Sequence, residues 1–199
     1  MQSFHFQNLK SYGMETLMFH KIFIENEIKD HPRTKYILSN LKNRGEIKYI
    51  DDHQQIWGRV KKPYLQKRKK LNLFLASKKG SCVKLAPDAY GLGQEKHYYF
   101  IHAYNCIYEC EYCYLQGYFN TPDLVFFVNH EEIIRQMQEI VNQDKNVWFH
   151  SGEFSDSLAL SHITGELDLY FDFFKKNPDA KFELRTKSVN IKELKKLSP

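Results

Sequence analysis

The stretch from His97 to Cys113 reads HYYFIHAYNCIYECEYC and carries the strongest structural signal in the chain. Its first part, His97 to Ala103, is rich in aromatic residues and predicts a β-strand. Its second part carries three cysteines in the spacing C-x3-C-x2-C, namely Cys106, Cys110 and Cys113. Thiolates are soft ligands that bind iron–sulfur clusters and zinc. The sequence therefore predicts a metal-binding loop directly after a strand.

The three cysteines leave several interpretations open. Three thiolates with no fourth nearby would leave one iron of a 4Fe–4S cluster without a protein ligand, and an open iron can bind a substrate or cofactor. The same spacing also places the three side chains on one face of a helix, which would make them a buried helical stripe. A zinc site is the other alternative, in which the fourth ligand would be one of three histidines: His97, His102 or His150. The fourth cysteine, Cys82, lies apart and is interpreted as a plain thiol.

Composition limits the class of protein. The 199-residue chain has 42% hydrophobic and 27% charged residues, so a core can form and full disorder is excluded. No apolar run reaches the ~18 residues of a membrane span, and residues 1–10 carry no apolar signal segment. We therefore expect a soluble cytoplasmic protein without a membrane partner, whose reducing surroundings disfavour a disulfide framework.

Positive charge is concentrated between Arg59 and Lys84, where ten Lys or Arg residues occur without any Asp or Glu. The net charge of the whole chain is only +5, so the remainder is acidic. Such a run is either a solvated face or a surface that binds phosphates. The second interpretation makes it a candidate nucleic-acid site, with six residues at its centre: Lys61, Lys62, Lys67, Arg68, Lys69 and Lys70.

The N-terminal half predicts a loose arm at residues 1–16 and a small α/β module at 17–80. Between its first two strands, Pro32 suits the first turn of a helix that runs to about Asn43, with Gly45 as the C-cap. A strand–helix–strand unit usually forms a right-handed parallel pair. The predicted strands of the module are Lys21–Glu25, Ile47–Ile50 and Leu71–Ala76.

Residues 81–199 repeat a strand–helix pattern three times, which is typical of a parallel sheet with helical crossovers. The predicted strands are His97–Ala103, Asn146–His150 and Phe182–Arg185. The predicted helices begin at Asn129, which forms a capping box with Glu132, at Ser161 and at Asn190, and the second ends near Lys176. Three units cannot close a barrel, so a sheet edge would stay unpaired. Either a partner covers that edge or this is the front portion of a longer protein.

Polar residues follow the last two predicted strands, as Ser151-Gly152-Glu153 and Thr186-Lys187-Ser188. Together with the cysteine loop, they would lie at the carboxyl ends of successive parallel strands, where barrels place their active sites. Glycine allows close backbone approach, glutamate can bind an ammonium group and lysine can bind a carboxylate, which is what an amino-acid moiety requires. The alternatives are an ordinary strand-end acid for Glu153 and a surface lysine for Lys187.

The cysteine motif, with the aromatic Tyr112 before its last cysteine, resembles that of the radical S-adenosylmethionine enzymes. The longer run Cys113-Tyr114-Leu115-Gln116 is similar to the spore photoproduct lyase family, as are Phe154-Ser155-Asp156 and Arg185-Thr186-Lys187. The resemblance covers most of residues 18–199, and family members are considerably longer. It implies a small α/β module followed by the first three β/α units of a partial (β/α) barrel.

The resemblance also implies a chemistry. A 4Fe–4S cluster on the three cysteines would bind S-adenosylmethionine and cleave it to a 5′-deoxyadenosyl radical. The family reaction is a carbon–carbon lyase reaction that reverses thymine photoproducts, with DNA and a small-protein electron donor as partners. Tyr112 and Tyr114 are the implied catalytic residues, although both could simply pack around a cluster. The candidate cofactor contacts are Tyr112, Gly152, Glu153, Ser155, Lys187 and Ser188.

The sequence departs from the family at one position. The family has a hydrogen-donating cysteine just ahead of the Ser-Asp pair, where this chain has Glu153, and no cysteine follows Cys113. A carboxylate cannot donate a hydrogen atom as a thiol does. Two further hypotheses follow: a related radical enzyme with another substrate, and a truncated remnant that binds nucleic acid without catalysis.

Overall fold

The computed structural model describes residues 19–42, 45–59, 71–88, 95–108 and 110–196. Within these ranges the chain forms nine β-strands and five α-helices, arranged as two sheets with helices packed against each. The expected arm at residues 1–16 lies outside the described residues. So do the six candidate nucleic-acid residues, Lys61, Lys62, Lys67, Arg68, Lys69 and Lys70.

The elements alternate along the chain as the sequence predicts for an α/β fold. The strands are β1 (Lys21–Glu25), β2 (Glu46–Ile50), β3 (Leu73–Ala76), β4 (Val83–Leu85), β5 (Lys96–Phe100), β6 (Ala103–Tyr104), β7 (Leu124–Phe127), β8 (Val147–Ser151) and β9 (Lys181–Leu184). The α-helices are α1 (Pro32–Asn40), α2 (Leu115–Tyr118), α3 (His130–Gln143), α4 (Ser161–Thr164) and α5 (Leu167–Lys176).

The first sheet has the strand order β2-β1-β3-β7-β6. The predicted parallel pairing of β1 with β2 is confirmed, and β1 also pairs in parallel with β3. Strand β7 was missed by the sequence analysis, because its four residues are apolar and buried on both faces and therefore show no alternation. Since β7 pairs with β3, strands from both predicted units share this sheet. The boundary between residues 17–80 and 81–199 stays a prediction.

The second sheet has the order β4-β5-β8-β9, and β5, β8 and β9 are parallel. The strands of the three predicted strand–helix repeats therefore lie side by side. The short antiparallel strand β4, which was not predicted, covers the β5 edge. Along the described part of the chain, no strand pairs with the outer edge of β9.

The prediction of a single strand from His97 to Ala103 is wrong, because these residues contribute to two strands, β5 and β6, in different sheets. The chain leaves the second sheet after Phe100, where the Ile101 amide donates to the Cys82 carbonyl at 2.9 Å. It continues as β6, which pairs antiparallel with β7 in the first sheet. This crossing carries the chain from one sheet to the other and into the cysteine loop.

Three predicted helix boundaries are wrong. Helix α1 ends at Asn40, and Gly45 is not its C-cap. A Cβ at Gly45 would collide with the backbone oxygens of Phe19 and His20, so glycine is required there for close approach to the start of β1. The helix predicted from Ser161 to Lys176 is two helices, α4 and α5, because Gly165 adopts φ 64° between them.

The predictions of a capping box between Asn129 and Glu132 and of a helix from Asn190 are also wrong. Asn129 precedes α3, but its side chain holds the backbone of Lys78 instead, accepting from the amide at 2.8 Å and donating to the carbonyl at 3.1 Å. Glu132 binds Arg135 and Gln136 on its own helix. In the described part of the final segment, only a 3-10 turn at Leu194–Lys196 forms.

The helices cover one face of each sheet. The predicted stripe on α3 is confirmed, because Ile133, Met137 and Val141 are buried against the second sheet together with Tyr170 of α5. Helices α1 and α4 cover the first sheet in the same way. No helix within the described ranges is long and apolar enough to cross a membrane.

Candidate functional site

The cysteine loop begins at a left-handed turn. Asn105 has φ 69° and is buried, a conformation that asparagine tolerates better than most residues. Its side chain supports the turn, since Nδ2 donates to the Thr121 carbonyl at 2.5 Å and Oδ1 accepts from the Cys106 amide at 3.1 Å. The sequence analysis missed Asn105, although an asparagine between a strand and a cysteine is a recognisable turn signal.

The three cysteines are partly buried and lie in a loop, not on a helix. The interpretation as a helical stripe is therefore wrong, since α2 begins only after Cys113. The Tyr108 amide donates to Cys106 Sγ at 3.4 Å, and the Cys113 amide donates to the Cys110 carbonyl at 2.9 Å. Burial raises the pKa of Cys106 to about 12, and the neighbouring Asp156, Cys110 and Cys113 add to this shift. A bound cation would reverse the effect, because thiolates are stabilised by metals.

None of the three candidate histidines is placed as the fourth ligand of a zinc site. His97 Nδ1 lies 2.8 Å from His150 Nε2, and His102 Nε2 lies 3.3 Å from Ser155 Oγ, so each histidine has another partner. Across the described ranges, the ligand atoms that lie within 4.8 Å of one another in a group of three belong to Glu25, Asp52 and His53. No histidine nitrogen therefore forms such a group with the cysteine sulfurs, and the three sulfurs do not all lie within 4.8 Å of one another.

The loop after β8 forms the second part of the candidate site. Gly152 has φ 79°, and a Cβ there would lie 2.8 Å from the Arg185 carbonyl oxygen. The Glu153 side chain is 19% exposed and pairs with Arg185 Nη1 at 3.3 Å. The Tyr114 hydroxyl donates to the Glu153 carbonyl. This last bond joins the cysteine loop to the end of β8.

Asp156 joins the loop after β8 to the loop after β9. Its Oδ1 accepts from Thr186 Oγ1 at 2.7 Å, and its Oδ2 accepts from the Lys187 amide at 2.5 Å. Lys187 is exposed, with Nζ 5.1 Å from the ring centroid of Tyr112. A hydrogen bond with Tyr112 raises the pKa of Lys187. Ser188 is buried behind it, and its amide donates to Thr186 Oγ1 at 2.8 Å.

The sheet face opposite α3 and α5 carries a chain of polar side chains. His150 bridges His97 on one side and Glu183 on the other, where Nδ1 lies 2.9 Å from Glu183 Oε2. Glu183 also binds Arg185, which reaches Glu153 at the strand ends. Burial lowers the pKa of His150. Burial alone would raise the pKa of Glu183, but its contacts with Arg185 and His150 hold it below the ordinary value.

The family model of spore photoproduct lyase matches residues 17–198. The chain belongs to the spore photoproduct lyase family. No curated protein sequence matches the chain significantly.

Solved structures of spore photoproduct lyase share the fold. A complex with dinucleoside spore photoproduct has a TM-score of 0.69 and 20% identity, over 88% of this chain and 52% of that one. A doubly substituted variant with bound AdoMet and dinucleoside spore photoproduct has a TM-score of 0.70, with the same identity and coverage. The chain therefore spans about half the length of these solved members of the family.

The structure brings most of the predicted site residues of this family member to one rim. A small cavity is lined by Cys106, Ser155 and Asp156, which places the cysteine loop directly against the loop after β8. Tyr112 meets Lys187, and Tyr114 meets Glu153. Sequence reasoning did not name Asn105. It named His102 only as a possible zinc ligand, and it quoted Asp156 and Arg185 only within family motifs, so the contacts by which these residues tie the rim together were not predicted.

Proposed function

We propose that this chain carries the cluster-binding and cofactor-binding part of a radical S-adenosylmethionine lyase that acts on thymine photoproducts in DNA. The observation that supports it best is the continuous rim made by the cysteine loop and the ends of β8 and β9. Two contacts hold this rim together: the bond from Tyr114 to Glu153 and the bonds from Asp156 to the backbone and side chains after β9. In barrel enzymes the carboxyl ends of the strands carry the active site.

The donor set at the loop fits a 4Fe–4S cluster. Cys106, Cys110 and Cys113 offer three soft sulfur ligands, partly shielded from water. The Tyr108 amide already donates to Cys106 Sγ, and such donors stabilise a charged sulfur. When bound with an open iron site, the cluster would supply the electron that cleaves S-adenosylmethionine.

The rim offers complementary groups for the amino-acid end of S-adenosylmethionine. Glu153 would bind the ammonium group, and its ion pair with Arg185 at 3.3 Å holds the carboxylate at the end of β8. Lys187 would bind the carboxylate, with the buried Ser188 supporting its loop. Gly152, Ser155 and Tyr112 would complete the contacts, and Tyr112 and Tyr114 are the proposed catalytic residues.

Cys110→Ala tests the assignment of the cluster. After anaerobic reconstitution, the unchanged chain should contain about four irons and absorb near ~400 nm, as iron–sulfur clusters do. The variant should lose both, because two thiolates cannot hold the cluster. Cys82→Ala is the matched control and should keep the iron, since Cys82 is fully buried in another core. Zinc alone in the unchanged chain, or full iron in Cys110→Ala, would overturn the proposal.

DNA is the proposed substrate, held by phosphate contacts of Lys61, Lys62, Lys67, Arg68, Lys69 and Lys70. Replacing residues 67–70 with Gln should reduce the log–log salt slope of binding by up to ~3–4, at about 0.9 per contact. Replacing Lys175 and Lys176 of α5 with Gln is the control and should leave the slope unchanged. An unchanged slope in the first variant would show that the basic stretch is a solvated surface that does not contact phosphates.

Two further partners are proposed. One is a small-protein electron donor, and the other is the rest of the barrel, supplied by a longer chain or by a partner.

A second candidate is a related radical enzyme that acts on a different substrate. It is favoured by Glu153, which pairs with Arg185 at or near the position where a hydrogen-donating thiol is expected, and by the absence of a cysteine between Tyr114 and Pro199. A turnover assay on dinucleotide photoproduct separates the two candidates. Repair to the closed-shell product supports the first, and cleavage of S-adenosylmethionine without repair supports the second. A chain that binds neither cluster nor S-adenosylmethionine would be a nucleic-acid-binding remnant.

A further inference from the structure

The cysteine loop, residues 105–123, leaves and rejoins the first sheet at one narrow place. The strands on either side of it, β6 and β7, pair antiparallel. Since β6 has only two residues, this pairing alone gives the loop a short base. Asn105 extends the base, because its Nδ2 donates to the Thr121 carbonyl at 2.5 Å and to the Asp123 carbonyl at 3.3 Å. We call these two contacts the neck of the loop.

The Asn105 side chain is buried and bonded at both of its polar atoms. Only 2% of the residue is exposed, and Oδ1 accepts from the Cys106 amide at 3.1 Å. One amide group therefore joins the first cysteine to the far end of the loop. The acceptors of the neck are shielded from water as well, since Thr121 and Asp123 are both buried. Glycine would fit the left-handed backbone at φ 69° equally well, but it could make none of these bonds.

The far side of the neck is fixed from outside the loop. Asn72, just before β3, donates to the Asp123 carboxylate from its backbone amide at 2.9 Å and from its Nδ2 at 3.0 Å. Trp57 Nε1 donates to the Asp123 carbonyl at 3.0 Å. The indole ring stacks on Tyr104 and contacts Phe119, with ring centroids 5.6 Å and 5.1 Å away. The side chain that closes the neck thus bonds to a segment already held by residues that precede the loop.

We propose that Asn105 is a positioning residue for the iron–sulfur cluster: its side chain closes the neck and thereby holds the backbone of Cys106 in place before iron is bound. Ordering a loop costs conformational entropy, and a loop that is already closed adds little of that cost when a ligand binds. The neck therefore favours retention of iron. The inference rests on the proposed function, since it takes the three cysteines as the ligands of a cluster.

The test follows the loss of iron to a chelator after anaerobic reconstitution. Asn105→Gly keeps the left-handed turn but removes all three bonds, and should lose iron about tenfold faster, the scale of one buried hydrogen bond. Asn105→Asp keeps an oxygen that can accept from the Cys106 amide, but it has no N–H group for the two carbonyls. It should lose iron at least as fast as Asn105→Gly. Iron loss at the unchanged rate in either variant would overturn the inference.

Asn177→Gly is the matched control. The Asn177 side chain also donates to a backbone carbonyl, that of Phe173 at 2.9 Å, but it does so at the end of α5. This variant should lose iron at the unchanged rate. An increase equal to that of Asn105→Gly would show that general destabilisation releases the iron, and would overturn the inference.

A measurement on the iron-free chain separates the inference from the proposed function. Hydrogen exchange of the Cys106 amide, followed by NMR, should be slow in the unchanged chain and in Asn177→Gly, and faster in Asn105→Gly. Fast exchange in the unchanged chain would overturn the inference even if a cluster forms. Slow exchange in a chain that takes up no iron would count against the proposed function alone.

Discussion

Gly152 occupies the point where the chain leaves β8, and its backbone conformation is one that side chains disfavour. With φ 79°, an added Cβ would lie 2.7 Å from Ser157 Oγ and 2.8 Å from the Arg185 carbonyl oxygen. The carbonyl cannot move freely, because the Ser157 amide donates to it at 3.0 Å. Close packing of the two loops therefore depends on the missing side chain.

Gly152→Ala should lower the free energy of unfolding by about 1–3 kcal/mol, from backbone strain and the collision with Arg185. Gly117→Ala is the matched control, since Gly117 lies in α2 with no atom within 4 Å of its added Cβ. It should be neutral or stabilise by up to ~1 kcal/mol. Urea unfolding measures both, and equal effects of the two variants would contradict the role of Gly152.

Helix α3 is joined to the start of β4 by one side chain. Gln136 Oε1 accepts from the backbone amides of Cys82 at 2.8 Å and Val83 at 3.0 Å, and its Nε2 donates to the Gly80 carbonyl at 3.1 Å. Since Cys82 is fully buried, its amide has no access to water. The position of β4 on the edge of the second sheet thus depends on the helix that follows β7.

Gln136→Ala should destabilise the fold by about 1–3 kcal/mol, because it leaves buried amides without an acceptor. Gln138→Ala is the control on the same helix. Its side-chain amide bonds to the side chains of Asn142 at 2.9 Å and Asn177 at 3.3 Å, and neither partner is a buried backbone amide. Its effect should stay within about 0.5 kcal/mol. Urea midpoints compare the two. A Gln136→Ala effect no larger than that of Gln138→Ala would mean that β4 is held by packing alone.

At the scale of the whole molecule, the two sheets are continuous through β5 and β6, and β7 adds to the first sheet before the chain returns to the second as β8. This interleaving predicts a single cooperative unfolding transition. The two tryptophans report on different sheets, because Trp57 packs on Tyr104 of β6 and Trp148 lies in β8. In the single-tryptophan variants Trp57→Phe and Trp148→Phe, fluorescence and circular dichroism should give coincident midpoints. Separate midpoints within either variant would show two independent units.

Several histidines should make the whole fold sensitive to acid. Burial is the main cause that lowers the pKa values of His102, His130, His150 and His162 below 6.5. Below that value the unfolded chain binds protons that the folded chain excludes, so stability is present above about pH 6.5 and is lost as the pH falls. Glu25 and Glu183 have lowered pKa values, and their contribution is lost only below about pH 4.5.

The urea midpoint of the cluster-free chain should therefore fall between about pH 7 and about pH 5. His130→Phe should reduce this fall, because it removes a fully buried imidazole. Replacing the exposed His20 with Gln is the control and should leave the fall unchanged. A midpoint that does not change over this range would show that these histidines bind protons in the folded chain as readily as in the unfolded chain.

The sequence alone identified the elements whose hydrophobic residues follow a regular pattern, and the loop whose three cysteines have a characteristic spacing. The stripe of α3, the parallel pair of β1 and β2, and the parallel strands β5, β8 and β9 all follow from local patterns, and so does the position of the three cysteines. Tertiary structure alone decided where β7 pairs, where the strand at His97 divides, and which side chains close the rim. Asp156 reaches Lys187 across 31 positions, and His102 reaches Ser155 across 53. Local patterns come from the burial of one face of one element, whereas such contacts depend on how several elements pack together.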